Sequence, residues 1–134
     1  MGSILVSPKA VLYSQSSIKG EFTDGRAFKD MIESIATKKL SPNDLPPIEV
    51  IEKDGKLWAI SGNRRLFNYK LLNLLGFCDK IKVKVLKNCR PYLMKKRMTS
   101  KTGGKSIKIR GENSKELIDE LILTAILVKY LHIG

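Results

Sequence analysis

Apolar positions recur along this chain with two periods, and the switches between them lay out its elements. Residues 10–13 form a short apolar run that reads as a strand. Ser14-Gln15-Ser16-Ser17 and Asp24-Gly25-Arg26 are loop chemistry, with Asp24 placed to cap the next helix. In that helix Phe28, Met31, Ile32, Ile35 and Ala36 form a stripe at helical spacing, which is core. The prolines at 42, 46 and 47 end it, because proline cannot continue a helix. Residues 48–52 and 57–60 read as two strands, with Asp54-Gly55 as the two-residue hairpin signal between them. Ser61-Gly62 closes the second strand and a helix follows at once. Its inner and boundary faces are expected from Leu66, Phe67, Lys70, Leu71 and Leu74, and Gly76 stops it. Over residues 80–86 the alternation is strict, with Ile81, Val83 and Val85 on one face and Lys82 and Lys84 on the other, as in a half-buried strand.

Further on, residues 90–97 read as a short helix packing Tyr92, Leu93 and Met94 inward. Residues 99–105 are polar and glycine-rich and are expected to form a mobile loop, and Ile107 with Ile109 marks one more short strand. The last element is a long helix. Asn113 and Glu116 have the spacing of a capping box, and Glu116, Asp119 and Glu120 suit the positive end of the helix dipole. From Leu121 to Leu131 this helix is apolar on almost every side, so it is expected to be buried against the domain or a partner chain. The fold class implied is α+β: a small mixed sheet with helices, plus a C-terminal helix. A single domain is expected over residues 4–134, with a core at 8–88, a basic loop segment at 89–111 and the last helix at 112–132.

A chain of 134 residues that is 43% hydrophobic has enough apolar surface for a core, and its longest apolar run is far shorter than the roughly 20 residues a bilayer requires. Met1-Gly2-Ser3 reads as a cloning remnant with no signal-peptide pattern after it. Cys78 and Cys89 share no metal-ligand spacing and read as reduced thiols, which places the chain in a reducing, cytoplasmic compartment or makes it a domain cut from a larger protein. With His132 the sole histidine, a histidine-based zinc site and a Ser-His-Asp triad are excluded.

Charge changes the picture more than size does. The formal net charge is +12, and residues 80–111 hold twelve Lys and Arg with no Asp or Glu. Elsewhere thirteen basic residues balance thirteen acidic ones. An excess confined to one segment attracts polyanions, so the expected partner is nucleic acid or a nucleotide. Lys95, Lys96, Arg97, Lys101 and Lys105 are the expected nucleic-acid contacts, with Tyr92 as a base-stacking or core aromatic.

The expected phosphate site is Gly62-Asn63-Arg64-Arg65, between a strand and a helix. The first backbone N–H groups of a helix are unpaired and carry the positive end of its dipole. Glycine lets a ligand approach the backbone, and two arginines supply forked donors for phosphate oxygens. The alternative is that Arg64 and Arg65 pair with Asp24 or Glu49. Catalytic candidates are Asp24, Arg26 and Glu49, since a carboxylate beside bound phosphate can hold a water or Mg2+, and the Ser14-Gln15-Ser16 loop is the candidate substrate loop.

The order of these pieces, from the Ser-Gln loop and Asp-Gly-Arg through Pro47-Ile48-Glu49-Val50 and the Asp54-Gly55 hairpin to Gly62-Asn63-Arg64-Arg65-Leu66, resembles the ParB N-terminal domain and the sulfiredoxin-like proteins over residues 8–88. That resemblance implies a Gly-x-x-Arg turn that holds a nucleotide phosphate, and activities that range from ParB-like nucleases to enzymes that handle adenine nucleotides. Sulfiredoxin has a cysteine inside that turn where this chain has Asn63, which argues against sulfiredoxin chemistry, and no helix-turn-helix module follows the domain. The expectation is a ParB-like nuclease or nucleic-acid-binding domain, such as the toxic part of a larger effector, using Mg2+ and/or a nucleoside triphosphate. Two alternatives stand beside it. One is a nucleotide-dependent phosphotransferase or hydrolase of the same fold. The other is a non-enzymatic module that docks a protein partner through its last helix.

Overall fold

Strands with alternating apolar residues bury one face only when neighbours complete it, and here five of them gather into a mixed sheet. The computed structural model describes residues 3–21, 27–87, 98–111 and 114–131. Its strands are β1 (Ser3–Val6), β2 (Val11–Tyr13), β3 (Ser17–Ile18), β4 (Ile48–Lys53), β5 (Lys56–Ala59), β6 (Ile81–Leu86) and β7 (Lys108–Ile109). Its helices are α1 (Phe28–Ala36), α2 (Asn63–Leu74) and α3 (Ser114–Leu131). The main sheet runs in the order β1-β6-β4-β5-β2, while β3 and β7 form a separate two-stranded parallel ribbon. β4 and β5 pair antiparallel across Asp54 and Gly55, both at positive φ as the expected turn requires. β6 returns parallel to β4 after α2, and β2 lies parallel to β5. The molecule is thus α+β, as its patterning implies.

Register places Val11, Tyr13, Ile48, Val50, Ala59, Ile81 and Val83 on one face of the sheet. They are buried with Phe28, Ile32, Leu66, Tyr69 and Leu72 in one core. The α1 stripe is buried as its spacing predicts. Its N-cap is Ala27, with no side-chain cap, where Asp24 was expected as the cap; Asp24 itself lies outside the described residues. In α2 the buried line is Leu66, Tyr69 and Leu72, whereas Leu74 is 73% exposed and belongs to the surface.

β1 begins at Ser3, inside the segment that reads as a remnant, and pairs antiparallel with β6 as an edge strand. α3 packs along α1 and buries Leu121, Ala125 and Val128, a single stripe. Leu123, Leu127, Tyr130 and Leu131 face outward, so burial against this domain covers one stripe of the helix only. No helix among the described residues is long and apolar enough to cross a membrane. The short helix expected at 90–97 and the capping Asn113 lie outside the described residues.

The glycine-rich stretch is anchored to the fold. Thr99 and Ser100 donate their backbone N–H groups to the Ser14 carbonyl at 2.7 and 2.9 Å, and Tyr13 N–H donates to the Gly104 carbonyl at 2.9 Å. Gly104 lies on the opposite face of the sheet from the main core, against Leu12 and Trp58. A Cβ there would stand 2.7 Å from Leu12 Cβ and from Trp58 Cζ3, and its φ is +78°. Gly104→Ala is therefore expected to destabilise the fold by about 1–3 kcal/mol through overpacking. Urea unfolding followed by the emission of Trp58, the single tryptophan, checks this, and an unchanged midpoint would contradict the packing described.

Candidate phosphate site

Two buried side chains hold the turn that opens α2. Ser14 ends the β2 segment with 0% exposure, and Asn63 is the first residue of α2 with 4% exposure. Ser14 N–H donates to Asn63 Oδ1 at 3.0 Å, and Asn63 Nδ2 donates to Ser14 Oγ at 3.1 Å. The Asn63 side chain thus faces inward and leaves only its backbone N–H for an incoming group.

Gly62 is the helix N-cap at φ 81° and ψ 24°, a left-handed conformation, and no side chain caps the helix. A Cβ at Gly62 would meet Ile48 Cγ1 at 3.0 Å, so this close approach requires glycine as well. The first turn of α2 therefore presents N–H groups that no side chain among the described residues caps. In front of it lies a cavity of about 280 Å³ lined by Gln15, Ile60, Ser61, Gly62, Asn63, Arg64 and Arg65.

The two arginines have different duties. Arg65 Nη1 donates to the Pro46 carbonyl, which ties the guanidinium to the proline loop. Arg65 also lies beside Tyr69, whose hydroxyl is pushed up to about 12 by burial and drawn back in part by that cation. Arg64 is half-exposed and makes no ion pair with a described acid. Its carbonyl accepts from Asn68 Nδ2 at 2.9 Å, so its backbone is fixed while its side chain stays available. The pairing of either arginine with Glu49 is absent. Glu49 instead accepts from Ser61 Oγ at 3.3 Å, which places a carboxylate directly behind the cavity wall.

The structure therefore gathers Gln15, Gly62, Asn63, Arg64 and Arg65 around one cavity, with Ser14 beneath it and Glu49 reaching it through Ser61. Ser16 and Lys101 line a separate neighbouring cavity, and Lys105 is exposed and lines neither. Asp24, Arg26, Lys95, Lys96 and Arg97 lie outside the described residues. Among the described residues no three His, Cys, Asp or Glu side chains form a group able to hold a metal ion.

Sequence reasoning placed Lys70 on a helix face without a role. Its Nζ lies 4.4 Å from the centroid of the Tyr13 ring, one residue before Ser14, and burial lowers its amine from 10.5 to about 8. Burial likewise holds the Tyr13 hydroxyl above its usual range. A Lys followed at helical spacing from a buried turn was the available signal, but its aromatic partner lies far away in sequence.

No family model matches this chain, and no curated protein sequence does either. The crystal structure of sulfiredoxin from Arabidopsis thaliana is similar to it. The TM-score is 0.49 at 20% identity, over 69% of this chain and 93% of that one.

Lys70 gives the site a pH signature. Its folded-state value lies below its unfolded value, so between about pH 8 and 10.5 the unfolded chain binds more protons and stability rises with pH; below about 8 the cost of the buried charge is present in full. Cys78, whose thiol burial pushes up to about 11, acts in the opposite direction, so the comparison is made against Lys70→Met, in which Cys78 is unchanged. The urea midpoint of the wild type should gain on that of Lys70→Met from pH 7.5 to pH 10. A constant difference between the two would contradict the burial of this amine.

Proposed function

We propose that this chain binds nucleic acid through its phosphates, with the N-terminus of α2 as the anchoring site. The observation that carries this reading is an uncapped, glycine-started helix N-terminus opening into a cavity whose charged lining residues are both arginine. Free N–H groups, the helix dipole and a guanidinium fork all favour a phosphate oxygen, and no carboxylate among the described residues lines the cavity to oppose them.

A polymer suits the site better than a mononucleotide. At about 280 Å³ the cavity lies just below the range of about 300–1,000 Å³ usual for small-molecule pockets. Among the described residues its lining includes no aromatic ring on which a base could stack, and Ile60 is the large apolar residue there. The acid-free basic segment supplies positive charge along a length that a single nucleotide would not need. Hydrolysis of the bound strand is a further part of the proposal. Glu49, which accepts from Ser61 Oγ, would be the described candidate to position a water or Mg2+, with Asp24 and Arg26 as the other candidates.

Binding of fluorescein-labelled single-stranded DNA and RNA, read by anisotropy at low salt, tests the reading, and the same strands with and without Mg2+ test cleavage. Arg64→Ala should weaken binding by about 1.5–3 kcal/mol, roughly ten- to a hundred-fold, with its melting temperature unchanged. Equal affinity in the folded variant would remove the α2 turn from the site, and no salt-dependent binding by the wild type would end the nucleic-acid reading.

A further inference from the structure

A second cavity, of about 570 Å³, lies beside the first. Lys101, Lys108 and Arg110 line it together with Ser16, Ser17 and Ile107. Its frame is rigid. β3 and β7 pair in parallel, Lys108 N–H donates to the Ser16 carbonyl at 3.1 Å, and Arg110 N–H donates to the Ile18 carbonyl at 2.8 Å. Thr102 Oγ1 donates to the Ser106 carbonyl at 3.1 Å and accepts from Ser106 N–H at 3.2 Å, which closes the loop that forms the far wall.

The chemistry of this wall is selective. Three cations line it, no carboxylate among the described residues does, and none of the three makes an ion pair with a described acid. Hydroxyls of Ser16 and Ser17 add neutral donors. Among the described lining residues the large apolar one is Ile107 and none is aromatic, so this part of the surface suits phosphate and sugar rather than a stacked base.

Consecutive residues line the two cavities. Gln15 lines the first, Ser16 and Ser17 line the second, and the backbone between them is pinned from both sides. Asn63 holds Ser14 from the α2 side, while Thr99 Oγ1 accepts from Ser16 N–H at 3.0 Å on the other. We infer that the second cavity is a further phosphate subsite for the same polynucleotide. One strand would cross the Ser14–Ser17 segment with one phosphate at the start of α2 and neighbouring phosphates on Lys101, Lys108 and Arg110, its bases turned outward and its sequence unread. This inference rests on the nucleic-acid reading above and adds the path of the strand and its indifference to sequence.

The salt dependence of binding counts the phosphates held, because each one neutralised on a single strand contributes about 0.7 to the slope of log K against log salt. The folded protein is titrated with a labelled single strand over a range of salt, as wild type, Arg64→Ala, the triple variant Lys101→Gln/Lys108→Gln/Arg110→Gln, and the charge control Lys53→Gln/Lys56→Gln on the β4–β5 hairpin. The triple variant is expected to lose about 2 from the slope and Arg64→Ala about 0.7, with the control close to wild type. A triple variant with wild-type slope, or one that loses no more than the control, overturns the second subsite while Arg64→Ala still reports on the first. A reduced slope in the triple variant with Arg64→Ala unchanged supports this subsite and removes the α2 turn. A nucleoside triphosphate that binds as tightly as the strand overturns the polymeric ligand.

Discussion

Ser14 and Asn63 exchange two hydrogen bonds in a part of the molecule that water hardly reaches, and the Ser14 carbonyl takes two more from Thr99 and Ser100. Every polar group of Ser14 is thereby used. A buried donor or acceptor left without a partner costs about 1–3 kcal/mol, so the three segments that meet here are bound to one another by the penalty of separating them. The end of β2, the start of α2 and the basic stretch after residue 98 take their relative positions from this one residue. The direction in which the α2 N-terminus faces, and the course of the segment that lines the two cavities, both follow from it.

That arrangement also separates structural from available charge. Arg65 is tied to the Pro46 carbonyl and Lys29 to Glu120 at 3.1 Å, whereas Arg64, Lys101, Lys108 and Arg110 have no acidic partner among the described residues. The exposed Lys29–Glu120 pair contributes little to stability, as such pairs do in water. The unpaired cations bear a repulsive cost in the free protein that an anion would relieve.

Much of the architecture was legible because it is local. The Asp54-Gly55 turn, the α1 stripe, the alternation of Ile81, Lys82, Val83 and Lys84, and the strand-to-helix position of Gly62 each depend on residues within a few positions of one another. What was hidden depends on distance. Asn63 looks like a ligand-facing residue until its partner, 49 positions earlier, is seen to claim it. β1 and β3 are too short for their own pattern to announce them, and the glycine-rich loop looks free until Gly104 is found against Leu12 and Trp58. Of the second cavity, Ser16, Lys101 and the strand marked by Ile107 and Ile109 were visible, the strand without its partner.

The parallel pairing of β3 with β7 has a kinetic consequence. Ser16 and Thr99, which meet at its mouth, are 83 residues apart in the chain, and the ribbon itself spans two residues on each strand. A ladder that short repays little of the entropy of closing so long a loop. It becomes worthwhile only after the five-stranded sheet has already brought β2 and its loop into place. The basic ribbon should accordingly be the last part of the molecule to fold and the first to open. Its conformational lifetime, more than that of the sheet, sets how long the two halves of the surface stay joined.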